Sequence, residues 1–202
     1  MHKYLHAKNA DVFAHGWLDE DKDQSLLQQL QDTLNPTVSR FERMPPSYQN
    51  ESNRRLSNAY TISESMKLMI EHEKKTGQEY DIVVSLRFDI CYNEPLDVSQ
   101  WTGERVFTQR HQGRDYAKRG DIDFIWGGSP RFMKSQAKLF DYLKSGVTYS
   151  FSRSGHFNLR GMFQLEFPTI PFDSVNTHFG DYPRSLINQR SQKRGCEQFK
   201  FL

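Results

Sequence analysis

Between residues 55 and 77 the chain carries Leu56, Ala59, Ile62, Met66, Met69 and Ile70 at steps of mostly three or four residues, and Gly77 closes the run. That spacing gathers the apolar side chains on one face of an α-helix. An apolar strand-like run, YDIVVSLR at residues 80–87, follows almost at once. Its near-continuous hydrophobicity predicts a strand buried on both faces. A long amphipathic helix turning directly into such a strand is the grammar of a sheet covered by helices, so an α/β fold is expected.

The remaining elements fit around this pair. DVFAHGW (residues 11–17) reads as a strand with a glycine exit, and KDQSLLQQLQDTL (22–34) as a helix that Asn35-Pro36 stops. Residues 37–42 read as a short strand, leading into the proline-containing loop MPPSYQNESN. Further strands are expected at 105–109, 122–126, 169–172 and 185–190. Residues 130–143 read as one amphipathic helix with Phe132, Met133, Leu139, Phe140 and Leu143 on its buried side. Ser129 is its expected N-cap and Pro130 its first residue. Helical turns are expected at 159–167. No repeat or linker divides the chain, so a single domain over residues 1–202 is expected.

Composition narrows the partners. Twenty-seven basic against 25 acidic residues give a charge of only +2, which argues against a nucleic-acid partner. No run of about eighteen apolar residues suits a membrane span, so a cytoplasmic location is expected. The two cysteines, Cys91 and Cys196, lack metal-ligand spacing and read as free thiols. The chain has no P-loop, GxSxG or GxGxxG pattern, which weakens kinase, hydrolase and dinucleotide-binding readings.

Two stretches place charge where a sheet would bind a ligand. YDIVVSLRFDI ends on Arg87 and Asp89, which share a strand face and project toward the crevice beyond the strand end. An aspartate there can hold a divalent cation, and an arginine can grip a phosphate as a planar fork. A structural ion pair, or an aspartate capping the loop, accounts for the pattern equally well. In GDIDFIWGGS, Asp121 and Asp123 share a face, and Gly127-Gly128 permits close approach to the backbone; an ordinary strand with a polar entry and tight turn explains this too. Of the histidines, His15 and His178 stand out, and each also reads as a hydrogen-bonded structural residue.

Taken in order, DVFAHGW, NRRLSNAYTISESMKLM, YDIVVSLRFDI and DIDFIWGGSPRFMKSQAKLFDYL resemble a family of glycosyltransferases with a GT-A-like fold. The family occurs in bacterial polysaccharide clusters, large DNA viruses and phages. The resemblance spans residues 10–143 and implies a mixed, mostly parallel sheet flanked by helices. The usual first strand is missing, so an N-terminally truncated domain is expected. It further implies a nucleotide-sugar donor (UDP-, GDP- or TDP-sugar), a glycan acceptor, Mn2+ or Mg2+, and the cytoplasm of a bacterial or virus-infected host cell. Arg87 and Asp89 stand as R-x-D in place of the family's D-x-D. Asp89 and His178 become metal candidates, and Arg87, Asp89, Asn53, Ser57, Tyr60 and Gly128 donor-binding candidates.

Transfer of a sugar builds charge on the departing diphosphate, which a cation or Arg87 would stabilise. A base for the acceptor hydroxyl is needed if configuration inverts; Asp123 and Glu166 are the candidates. Arg114, Lys118 and Arg119, in the loop HQGRDYAKRG, are placed to cover phosphates, although a solvated basic loop explains them as well. Two other functions stay open. One is a degenerate, non-catalytic transferase domain that binds a glycan or partner. The other is a metal-dependent phosphohydrolase or nuclease using Asp89, Asp121 and Asp123.

Overall fold

The computed structural model describes residues 10–18, 27, 28, 31, 32, 34–49, 53–87, 98, 101, 103–110, 121–146 and 158–175; at 54, 109, 110, 121–124, 158, 174 and 175 it describes the backbone alone. The strands are β1 (Phe13–Leu18), β2 (Val38–Arg43), β3 (Val83–Leu86), β4 (Val106–Arg110), β5 (Asp121–Gly128) and β6 (Phe172–Val175). The α-helices are α1 (Arg54–Thr76), α2 (Pro130–Met133), α3 (Leu139–Lys144) and α4 (Asn158–Glu166). Short 3-10 turns occupy Pro46–Tyr48 and Lys134–Lys138. Residues 27, 28, 31, 32 and 34 are helical, and Asn35 ends that segment at φ 41°, a left-handed position that asparagine tolerates. The expected strand at 185–190 lies outside the described residues.

The fold is mixed α/β, with sheets of mixed orientation. β1 and β2 form a parallel pair. The second sheet has the order β3-β5-β4-β6, in which β5 is antiparallel to β3 and β4 while β4 and β6 are parallel. Parallel pairs therefore do not predominate among the described residues.

Helix α1 is the spine between these layers. Gly77 ends it at φ 73°, its N–H bonded to the Glu73 carbonyl, with Lys74 and Lys75 at the negative end of the helix dipole. One flank receives alternate residues of β1, and the strand runs against the helix direction. Phe13 packs near His72, the His15 N–H reaches the Ser65 hydroxyl, and the Trp17 indole reaches Ser57. Another flank, through Ala59, Met66 and Met69, joins the main core with Val83, Val106, Trp126, Met133, Leu159, Met162 and Phe163. Trp126 and Phe163 stack at 5.5 Å, both fully buried. Burying a side chain such as Phe163 or Met133 contributes roughly 1.5–3 kcal/mol.

Three sequence expectations change here. Among the described residues β3 lies at the edge of its sheet, and it is not buried throughout: Val83 is buried, whereas Leu86 is 36% exposed. The last strand of this sheet, expected at 169–172, starts at Phe172, because residues 168 and 169 form a turn. The single helix over 130–143 is interrupted by the 3-10 segment. The buried Ser63 hydroxyl donates to the Gln136 carbonyl and accepts the Phe140 N–H, each at 3.0 Å. It occupies the place of the direct i→i−4 bond between those two groups, and such an insertion breaks a helical ladder. Ser129 contributes its carbonyl to the first turn and makes no side-chain cap bond, while Pro130 stands at the first helical position as expected. No helix among the described residues is long and apolar enough to cross a membrane.

Candidate functional site

The residues that carry chemistry converge where β1, β2 and the first half of α1 meet. Register places His15 opposite Arg40 and Trp17 opposite Glu42. The His15 side chain is fully buried, and its Nε2 lies 2.9 Å from Glu42 Oε1. Glu42 is held below the ordinary carboxylate range, first by the His15 hydrogen bond and then, against the cost of burial, by one from Tyr60. An ionised carboxylate only accepts, so the histidine hydrogen in this contact sits on Nε2. Its Nδ1 is buried with no hydrogen-bond partner among the described residues.

Aromatic rings surround this pair. Trp17 stacks on Tyr60 with centroids 5.0 Å apart and planes inclined by 17°. His15 meets both rings edge-on, at 5.2 and 5.4 Å. Tyr48 leans on Trp17 at 5.9 Å, and Phe140 closes the far side of Tyr60 at 5.1 Å. Trp17 Nε1 donates to the Ser57 hydroxyl at 2.9 Å. Burial, followed by the bond to Glu42, pushes the Tyr60 hydroxyl up to about 12. Trp17, Tyr48 and Tyr60 remain partly exposed, as does Glu42, whose side chain is 38% exposed. Partly exposed rings beside an ionised carboxylate can pack on the C–H face of a sugar and accept its hydroxyls.

The predicted residues divide between this cluster and other places. Ser57 and Tyr60 are inside it. Asn53 stands just before α1 and donates to the Ser47 carbonyl at 2.6 Å, which ties down the turn that carries Tyr48. Arg87 directly follows β3 and is partly buried. Gly128 lies toward the opposite end of that strand: it pairs with Val83, four residues before Arg87, a separation of roughly 13 Å along a strand. The structure therefore does not gather Gly128 and Arg87 into one corner. At the glycine pair the space a side chain would need is filled by protein. A Cβ at Gly127 would enter the Trp101 ring, and one at Gly128 would come within 2.5 Å of the Arg105 carbonyl.

Glu166 ends α4, accepting from Tyr142 at 2.6 Å and pairing with Lys138 at 2.7 Å, so it joins α4 to the segment after α2. Asp121 and Asp123 belong to β5, with Asp121 opposite Arg110, but their side chains are outside the described portion. Asp89, His178, Arg114, Lys118, Arg119, Cys91 and Cys196 lie outside the described residues altogether. Among the described residues no group of three His, Cys, Asp or Glu side chains gathers to hold a metal ion.

Glu42 and Tyr48 were not singled out by sequence reasoning. Glu42 has only its place on a short strand as a signal, and its partner His15 lies 27 residues away. Asp11, the first residue of DVFAHGW, is a clamp: it accepts from Thr37, Gln78 and Tyr80 at 2.7–2.9 Å. Those bonds, led by Thr37, lower its pKa. Compared with known proteins, the chain matches no family model, no curated protein and no solved structure.

Proposed function

We propose that the chain is a glycosyltransferase-like protein that takes a nucleoside-diphosphate sugar and passes its sugar to a glycan hydroxyl. One observation carries this reading. Two of the stretches on which the resemblance rests, DVFAHGW and NRRLSNAYTISESMKLM, meet through the Trp17–Ser57 hydrogen bond and the Trp17–Tyr60 stack, across 40 residues of sequence. Their meeting makes a partly exposed aromatic surface with a carboxylate beside it, the composition that recognises a sugar or nucleoside ring. Asn53 supports this surface from below by fixing the Tyr48 turn.

In this reading Arg87 neutralises the departing diphosphate, and Asp89 is its neighbour for a cation. Asp123 remains the candidate base, because Glu166 is already engaged by Lys138 and Tyr142. That engagement favours one alternative, glycan binding without transfer. The test is ligand-detected NMR with UDP-, GDP- and TDP-sugars, with and without Mn2+, followed by a transfer assay. Binding of at least one donor, weakened by Trp17→Ala or Tyr60→Ala, is the expected result. Failure of every donor to bind, with metal present, overturns the transferase reading; glycan binding without it leaves the non-catalytic one.

A further inference from the structure

Beside the aromatic cluster stands the Glu42 carboxylate, and its surroundings are unusual for a surface acid. Two donors on separate elements, His15 on β1 and Tyr60 on α1, converge on it. His15 Nε2 lies 2.9 Å from Glu42 Oε1. The histidine side chain is wholly buried and its Nδ1 finds no partner among the described residues, so its side-chain hydrogen bond there is the one that orients Glu42. A purely structural tie has no need of an exposed acceptor, yet Glu42 keeps 38% of its side chain in solvent. The carboxylate thus has acceptor capacity left over, facing the same side as the partly exposed Trp17 ring opposite it in register.

From this we infer that Glu42 is a ligand-binding residue: its carboxylate accepts a vicinal pair of ring hydroxyls while Trp17 and Tyr48 pack on the ring's C–H face. His15 is its positioning residue. The arrangement is the one expected for a sugar ring, because a fixed carboxylate has two oxygens and a vicinal diol has two donors with matching spacing. Both pyranoses and the ribose of a nucleotide carry such a diol. The inference deepens the reading of this cluster as a sugar or nucleotide-sugar surface and rests on it. It differs from the candidate bases because the low proton affinity of Glu42 suits ground-state recognition rather than proton abstraction.

Other charges face the same carboxylate. Arg40 on β2 lies two residues away and pairs with Glu64 of α1 at 2.8 Å, so the groups around Glu42 are His15, Tyr60, Arg40 and Glu64. Binding that depends on Glu42 is retained down to below the ordinary carboxylate range. It is lost at a higher pH once His15 no longer donates, as in His15→Phe.

Four probes separate the sources of the diol: UDP, UDP-glucose, TDP-glucose and a mixture of methyl pyranosides of glucose, galactose and mannose. TDP-glucose lacks the ribose diol but keeps the pyranose. Binding is read by tryptophan fluorescence and by the shift of a 13C-labelled glutamate carboxyl in the unmutated chain, so the result does not depend on a variant folding. The expected result is a shift of the Glu42 carboxyl on saturation and about a tenfold or greater loss of affinity in Glu42→Gln. Sensitivity of UDP but not TDP-glucose assigns the ribose; sensitivity of TDP-glucose and the pyranosides assigns the sugar. If donors bind with no carboxyl shift and equal affinity in Glu42→Gln, the inference is overturned while the transferase reading stands. Glu42-dependent pyranoside binding with no nucleotide binding supports the inference and removes the transferase reading. Failure of all four probes overturns both.

Discussion

The hydroxyl of Ser63 accepts the backbone N–H of Phe140, 77 residues away, at 3.0 Å, while passing its own hydrogen to the Gln136 carbonyl. It therefore stands inside a helical turn as a bridging water would. Ser63 is completely buried, and without its oxygen the Phe140 N–H loses this partner, while the Gln136 carbonyl keeps the Leu139 N–H. Ser63→Ala is expected to cost about 1–3 kcal/mol, the price of leaving buried polar groups unmade. A fall of the urea midpoint at unchanged m-value is the measurement. An unchanged midpoint would mean that the helix re-forms its own bond across residues 136–140.

Trp101 lies over Gly127 and stacks on Phe107 with centroids 5.2 Å apart. A methyl group at position 127 must displace the indole from a packed cluster that includes Ile125. Gly127→Ala is expected to destabilise by about 1–3 kcal/mol, in the range of overpacked cores. The near-UV circular dichroism of the buried indole is expected to change with it. Wild-type stability with an unaltered spectrum would show that Trp101 is free to move aside.

The clamp at Asp11 and the carboxylate of Glu42 give the fold a dependence on acid. Both are lowered in the folded chain, so the unfolded chain takes up protons at the higher pH. Their contribution is complete above the ordinary carboxylate range and is lost as pH falls through the depressed values. Tyr60 has the opposite sign. It is raised to about 12, so its contribution holds below its ordinary value near 10 and disappears as pH climbs toward 12. Urea midpoints followed over pH are expected to drop at both ends. Asp11→Asn should remove part of the acid limb and Tyr60→Phe part of the alkaline one, because burial and the bond to Asp11 raise Tyr80 as well; a limb that persists unaltered in its variant assigns it elsewhere.

Glu166 is expected to behave as a clamp. Glu166→Gln leaves Lys138 and Tyr142 without their charged acceptor, at a cost of about 1 kcal/mol given how exposed Lys138 is. Thermal unfolding should shift down by a few degrees while donor binding is unchanged. Loss of transfer activity with full stability would restore Glu166 as a base.

Much of the fold was legible because its signals are local. The apolar steps from Leu56 to Ile70, and Gly77 after them, specify α1 through contacts within the helix and one left-handed residue. β2, β4 and β5 lie within a few residues of their expected positions for the same reason. The paired glycines were visible too, but their role was not. Trp101 and the Arg105 carbonyl occupy the space a side chain would need.

By itself the sequence determined most of the described helices and strands, and therefore an α/β fold, since periodicity and turn chemistry act over a few residues. Only the tertiary structure decided what those segments meet. The edge position of β3 among the described strands follows from strand order, which no local pattern encodes. The break at Lys134–Lys138 depends on a serine from α1, and the His15–Glu42 contact arises because β1 and β2 pair in parallel register. Each joins groups 27 to 77 residues apart, and such contacts exist only once the chain has packed.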